Sequence, residues 1–207
     1  MEFSVGSSLR FGWKIFKKRP WFFIAVTVLV MVAGWIVGFI GGFVGTLLGT
    51  NVFDTAVGSL INFAGQLLIG MGTIAFYLKA HDAVEKAEVR DLWHPQPFWR
   101  YMGASIIEGV IVIFGFALLI VPGIIFALMF MFTLYFVVDR EEHTLQALKE
   151  SYRITYGHKW KLLLFVFAIA GINILGTLCL FVGLLVSVPV TTIATAHAYR
   201  TLSKSTY

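Results

Sequence analysis

A single cysteine in 207 residues, Cys179, excludes an internal disulfide framework. It lies in an apolar run and reads as a small buried hydrophobe. Charge is also scarce. Asp, Glu, Lys and Arg make up 13% of the chain, against about 25% in soluble domains, while 58% of positions are apolar. Such a surplus of apolar side chains needs lipid as a solvent, so the sequence reads as a membrane protein. Polar stretches between the hydrophobic blocks stay within about 25 residues, too short for a soluble catalytic domain, which needs about 50 or more. His-Glu-x-x-His, Gly-x-Ser-x-Gly, a Walker loop and paired intramembrane carboxylates are all missing. The expectation is therefore a protein that is not an enzyme, with no metal and no cofactor.

Four apolar blocks are present: Trp21 to Thr50, Thr55 to Leu78, Tyr101 to Val138, and Leu162 to Tyr199, with Asn51 and Asp54 between the first two. The basic residues before Trp21 resemble the start of a signal peptide. The run that follows is about twice the usual 7 to 15 residues, so a retained first membrane helix is expected. As single helices the last two blocks would each reach about 57 Å, nearly twice the apolar thickness of a bilayer. Each is expected to fold as a hairpin, the third block turning at Pro122-Gly123 with arms of about 21 and 15 residues, the fourth near Gly176 and Gly183. Six crossings in three hairpins follow.

Charge placement agrees. All 16 Lys and Arg residues fall on one side of this topology, and Asp54 is the only charge expected on the other. Basic residues are retained on the cytoplasmic side of short loops, so both termini should be cytoplasmic. Trp13, Trp21, Trp93, Trp99 and Trp160, with Tyr77, Tyr101, Tyr135, Tyr152, Tyr156 and Tyr199, cluster at the same side as expected headgroup-level anchors, while Trp35 lies deep in its run. The net charge of +5 then faces anionic lipid, and nucleic acid is not an expected partner.

The lead-ins to the first and third hairpins match without gaps: Leu9 to Ile15 parallels Leu148 to Ile154, and Trp21 parallels Trp160. In both, apolar residues recur at helical spacing (Leu9, Trp13 and Phe16; Leu145, Leu148 and Tyr152) opposite a basic face. Such helices lie in the interface. Arg10, Lys14, Lys17, Lys18, Arg19, Lys149 and Arg153 are the expected headgroup-binding residues. The segment from His81 to Trp93 is expected as a third, weaker example, ended by His94-Pro95-Gln96-Pro97. Gly34/Gly38/Gly42 and Gly41/Gly45/Gly49 form ladders at four-residue spacing in helix 1, read as a close-packing device, with a pore lining or a self-association face between two copies as the alternatives.

Glu108 is the only charged residue inside an apolar helix, and burial of a charge there marks a site candidate. Its expected partners are Asn62 and Gln66, on a polar stripe with Ser59 and Thr73 in helix 2, and Asn173, with Thr177, in helix 5. Ser187, Thr191 and Thr195 make a further stripe in helix 6, beside Pro189. Such stripes also serve as interhelical glue. The histidines at 81, 94, 143, 158 and 197 all fall on the basic side without metal spacing. Asp139, Glu141 and Glu142 flank Arg140 and read as a solvated helix start.

The order Val121-Pro122-Gly123-Ile124, Tyr135 to Asp139, Ala147-Leu148-Lys149-Glu150-Ser151 and Gly157-His158-Lys159-Trp160 resembles the YciC-like prokaryotic membrane proteins and the related membrane domain of some glycerophosphodiester phosphodiesterases. The resemblance implies a six-helix plasma-membrane protein in which Pro122, Gly123, Ser151, Gly157 and Trp160 are architectural. Phosphodiesterase activity does not carry over, because it resides in a separate soluble barrel. The expected fold is all-α, a single membrane domain over 1–207. Interfacial segments are expected at about 3–18, 80–100 and 141–157, and hairpins at about 21–79, 101–138 and 160–200. The expected function is a lipid-interacting or scaffold module, with a small transporter or channel built around Glu108 as the rival.

Overall fold

The computed structural model describes residues 3–49, 52–94, 96–179 and 182–205, and among these every regular element is helical. The α-helices are α1 (Val5–Phe16), α2 (Pro20–Leu48), α3 (Val52–Asp82), α4 (Phe98–Leu118), α5 (Ile120–Phe130), α6 (Thr133–Arg140), α7 (Thr144–Thr155), α8 (Lys159–Leu178) and α9 (Leu184–Ser205). Five stretches are long and apolar enough to cross a membrane: α2, Thr55–Asp82, α4, Ile120–Arg140 and α8. Asn51 lies outside the described residues, and Asp54 belongs to α3 rather than to a loop.

Proline shapes two of the links between helices. Arg19 precedes a proline and takes a non-helical conformation (φ −143°, ψ 62°), which separates α1 from α2 and lets Pro20 start α2 at the position where its missing N–H is not needed. Pro122 works at a distance. It has no N–H for the carbonyl four residues back and would clash with it. α4 accordingly stops at Leu118, Leu119 is extended, and Pro122 sits in the first turn of α5. The turn therefore falls three residues before Pro122-Gly123, and the second arm, Ile120–Arg140, has 21 residues rather than about 15.

Each hairpin is closed by glycines from its two arms. A Cβ on Gly41 would stand 2.7 Å from the Gly58 carbonyl, one on Gly115 would stand 3.0 Å from the Gly123 Cα, and one on Gly183 would stand 2.6 Å from the Gly176 carbonyl. Side chains at these sites would hold the backbones apart.

α9 is missing from the set of apolar spans although it has 22 residues. It is instead the most enclosed helix: Ile193, Ala194, Ala196, Ala198 and Tyr199 have no exposed surface, and α1, α2, α3, α7 and α8 all pack on it. A helix surrounded by protein can carry Ser187, Thr191, Thr192 and Thr195, whose hydroxyls find partners or burial inside the bundle. The outer helices do the reverse. Trp35 (84% exposed), Phe39, Ile113, Leu119 and Phe167 belong to a wide exposed apolar belt. Every tryptophan is exposed, whereas Tyr77, Tyr101, Tyr135 and Tyr199 are buried and act as core residues, not as surface anchors. Cys179 is exposed.

The two amphipathic helices turn different faces inward than the apolar spacing suggests. α1 buries Ser8, Gly12, Ile15 and Phe16, leaving Trp13 half exposed, because Gly12 sits directly over the Val190 carbonyl and Ala194 of α9. α7 buries Ala147, Leu148, Ser151 and Ile154, leaving Leu145 and Tyr152 outside. In both cases small residues permit the closest approach. The segment after α3 is not a third amphipathic helix: it forms 3-10 turns at Val84–Lys86 and Val89–Leu92, with Val84 and Ala87 buried. Gly157 has φ +83°, a left-handed conformation that suits glycine, and turns the chain from α7 into α8 just before the exposed Trp160.

The break between α5 and α6 lacks proline and glycine. It is held open by α7. Phe132 donates its backbone N–H to Ser151 Oγ (3.2 Å), and Ser151 donates in turn to the Met129 carbonyl (2.9 Å), which also accepts from Thr155 Oγ1 (3.2 Å). Ser151 thus replaces the helical bonds that the break removes, since buried backbone groups must be paired somewhere. Ser151→Ala would orphan the Phe132 N–H and should lower stability by about 1–3 kcal/mol. Lys149→Ala, on the exposed face of the same helix, should stay within about 0.5 kcal/mol. Detergent-titrated unfolding of both variants checks this, and equal effects would refute the assigned role.

Candidate functional site

At one end of the bundle, charged residues from distant parts of the chain converge. Arg200 of α9 donates to Asp82 at the end of α3 and to Asp139 in α6, both at 2.6 Å. Tyr199 donates its hydroxyl to the same Asp139 Oδ2 (2.9 Å). Lys79 pairs with Asp91 at 2.6 Å, and Arg140 reaches Ser203 at 2.7 Å. A cleft of about 470 Å³ opens between these groups, its wall including Lys79, Asp82, Asp91, Asp139 and Arg200. His94 Nε2 and Arg200 Nε, from two residues of that wall, are buried without hydrogen-bond partners.

A chain of hydrogen bonds runs on to α1. His81 Nδ1 stands 2.8 Å from Asp82 Oδ1, and His81 Nε2 stands 3.0 Å from His197 Nδ1. A carboxylate only accepts, so His81 donates from Nδ1; its neutral ring then accepts at Nε2, which makes His197 Nδ1 the donor. Phe11 of α1 stacks on the His197 ring (4.2 Å) and lies 4.8 Å from His81.

This cluster was not legible as a site. Asp139 reads in the sequence as part of a solvated helix start, but its side chain is only 14% exposed. The nearest signal is that Lys79-x-x-Asp82, Asp139-Arg140 and Tyr199-Arg200 each end an apolar block with an acid or base. Asp91 shows the local electrostatics. Burial alone would raise its carboxyl, but hydrogen bonds from Lys79 and the Glu88 backbone N–H, with the charges of Lys79 and Arg90, outweigh burial and hold it below the usual carboxylate range. Burial pushes the Glu142 carboxyl up, against the pull of Arg140.

The expected intramembrane polar residues come from three helices, α3, α4 and α8. Asn62 and Gln66 face α2: Gln66 donates to the Gly34 carbonyl (3.2 Å), and Asn62 packs on Gly41 beside a groove of about 410 Å³ lined with glycine. Asn173 lies between α8 and α9, 3.4 Å from Thr191 Oγ1. Glu108 is on α4, which packs on α3, α5, α6 and α7. One oxygen of each of Glu108, Asn62 and Asn173 is buried without a hydrogen-bond partner.

The expected headgroup ligands also divide. Arg10, Lys14, Lys17 and Lys18 are exposed, and among the described residues none has an ion-pair partner; Lys17 lies 5.8 Å from the Trp13 ring. Arg19 is different. It donates to the Val84 and Ala87 carbonyls (3.2 and 3.3 Å) and lies over the Phe22 ring (4.1 Å), so it clips the 3-10 segment to the start of α2. Lys149 is exposed on α7, and Arg153 pairs with Glu150 at 3.9 Å.

Residues 100–203, which run from the first turn of α4 to the last turn of α9, match the family of a domain of unknown function, DUF7847. The chain belongs to the DUF7847 family. The matched span holds Glu108, Asp139, Ser151, Asn173 and Arg200; α1, α2 and α3 precede it. No curated protein and no solved structure matches the chain.

Two expectations follow from the charged cluster. Asp139→Ala leaves Arg200 and Tyr199 facing a buried gap and should cost about 2–3 kcal/mol, a buried-pair value reduced for the residual exposure of Arg200. Asp82→Ala removes a half-exposed partner and should cost about 0–1 kcal/mol. Unfolding titrations that show the reverse order would overturn this ranking. Asp91, with its lowered carboxyl, stabilises the fold fully above the unfolded carboxylate pKa of about 3.9, and this contribution is lost as pH falls through the lower folded value. Acid titration of stability should therefore show a step in the native protein that is smaller in Lys79→Met.

Proposed function

We propose that the chain is an integral membrane protein of a prokaryotic plasma membrane that crosses the bilayer six times as three hairpins, with both termini cytoplasmic. α9 is the sixth crossing and is shielded from lipid by its neighbours. The convergence of Asp82, Asp139 and Arg200 at one end supports the paired topology, because it requires α3, α6 and α9 to end at the same level. α2 and α3, with 29 and 31 residues, reach about 45 Å and would tilt or project beyond an apolar core of about 30 Å.

The activity that fits best is non-enzymatic: a lipid-interacting or scaffold module that reads anionic headgroups. One observation carries this. Arg200, Lys79, Arg90 and Arg140 are tied to carboxylates, whereas Arg10 and Lys14 of α1 and Lys17 and Lys18 just after it have no ion-pair partner among the described residues. Near an anionic surface each is worth about 1 kcal/mol, so together they supply about 4 kcal/mol of preference. Lys149 and Arg153 on α7 add a smaller share. Arg19 leaves the set, because its guanidinium is already held by carbonyls.

Kinship with the YciC-like proteins is part of this proposal. Its support is that Pro122, Ser151 and Gly157 hold the turn, the helix break and the left-handed link at the quoted positions. Self-association of two copies is proposed at Gly38 and Gly42 of α2, where an added Cβ would meet nothing within 4 Å. Transport is the second reading, favoured by the unpartnered oxygen of Glu108. Equal fluxes through liposomes carrying native protein and Glu108→Gln would remove it.

The headgroup reading is tested by lipid enrichment around the full chain in mixed phosphatidylglycerol and phosphatidylcholine nanodiscs. Replacement of Arg10, Lys14, Lys17 and Lys18 by Gln should reduce phosphatidylglycerol enrichment at least tenfold, and high salt should do the same to the native protein. Arg19→Gln should lower stability instead. Unaltered enrichment in the quadruple variant would sink the proposal.

A further inference from the structure

The basic face of α1 is not uniform. Its first part borders a groove of about 620 Å³ whose wall contains Ser7, Arg10, Phe11, Lys14 and, from α9, His197. Arg10 and Lys14 are four residues apart and so stand side by side, a like-charge pair that weakens the isolated helix by a few tenths of a kcal/mol. Among the described residues no carboxylate lines the groove. Phe11 fixes the plane of the His197 ring by stacking on it at 4.2 Å with 16° between planes.

We propose that this groove binds a phosphodiester anion, with Arg10 and Lys14 as its cationic arms and His197 as a third donor that engages on protonation. The inference rests on the headgroup reading above and narrows it to one place and one chemistry. The bond from His197 Nδ1 to His81 leaves Nε2 as the ring nitrogen with no partner among the described residues. In the neutral ring that nitrogen is an acceptor and repels an anionic oxygen; with a proton it becomes a donor. The groups around His197 are His81 and Asp82 from α3, Arg200 and Lys204 from α9, and Arg10 and Lys14 from α1. Partial burial of the ring, and then the cations that outnumber the one carboxylate, disfavour the proton while the groove is empty, and a bound anion offsets the charge repulsion. By linkage, binding takes up a proton, and affinity rises as pH falls.

A phosphodiester keeps a single fixed charge between pH 6 and 8, so any pH dependence belongs to the protein. The full chain is placed in nanodiscs of mixed phosphatidylglycerol and phosphatidylcholine, and phosphatidylglycerol enrichment is measured at pH 6 and pH 8. A parallel arm adds soluble glycerophosphoglycerol as competitor. Enrichment severalfold higher at pH 6, abolished in Arg10→Gln/Lys14→Gln and made pH-independent in His197→Gln, is the expected result; Gln retains an amide donor toward His81. Competition by the soluble diester assigns the groove to a free ligand, and failure to compete assigns it to the lipid headgroup. Either holds the site. Enrichment that does not change with pH in the native chain, or that responds to Lys17→Gln/Lys18→Gln and not to Arg10→Gln/Lys14→Gln, overturns the inference while leaving the headgroup reading in place. Absence of any enrichment in the native chain overturns both.

Discussion

Arg200 between Asp82 and Asp139 is the contact on which the arrangement of helices depends. A guanidinium with 22% of its side chain exposed gives up much of its hydration, and only two carboxylates at hydrogen-bond distance make that tolerable. The carboxylates come from α3 and α6, so α9 is fixed along its axis relative to both. Tyr199, the preceding residue, donates to the same Asp139 oxygen and places its ring among Phe132, Tyr135 and Phe136. The polar anchor and the aromatic core are therefore one unit. A slip of α9 by one residue would bury a charge without a partner and withdraw the ring from its cluster.

With the charged ends joined, the opposite ends can be held by very little. Glycine on each arm of each hairpin lets backbones touch where larger residues would splay them. The break in the α5–α6 arm follows the same accounting of backbone groups: Ser151 takes the N–H of Phe132 and gives its own proton to Met129, so α7 is seated on the gap it fills. Shape here is set by small residues and hydroxyls, while the large apolar side chains of α2, α4 and α8 point outward.

This explains what the sequence disclosed and what it hid. Block lengths disclosed the all-helical character and the long apolar helices. The turn at Leu119 was displaced from Pro122 because proline forbids a bond that begins four residues earlier. The inner faces of α1 and α7 were hidden because Ser8, Gly12, Ala147 and Ser151 pack more closely than Trp13 or Tyr152 and do not register as an apolar stripe. Asp139 and Arg200 are 61 residues apart, with nothing local to connect them. Glu108, Asn62 and Asn173 were conspicuous singly, yet whether polar residues on different helices share a cavity depends on helix rotation, which spacing along one helix does not reveal.

The basic residues thus fall into two populations with different physical fates. Those at the ends of α3, α6 and α9, and Arg19 at the start of α2, are held by carboxylates or carbonyls, and their charge is consumed in fixing the fold. Those on and just after α1 are held by no carboxylate among the described residues. α1 itself is bound through Gly12 to the backbone of α9 and through Phe11 to His197, so the free cations are displayed on a rigid mount tied to the Arg200 cluster. Whatever neutralises Arg10 and Lys14 acts next to His197, one hydrogen bond from His81 and two from Asp82. That adjacency gives an event at the exposed face of α1 a short physical route to the contact that aligns the bundle.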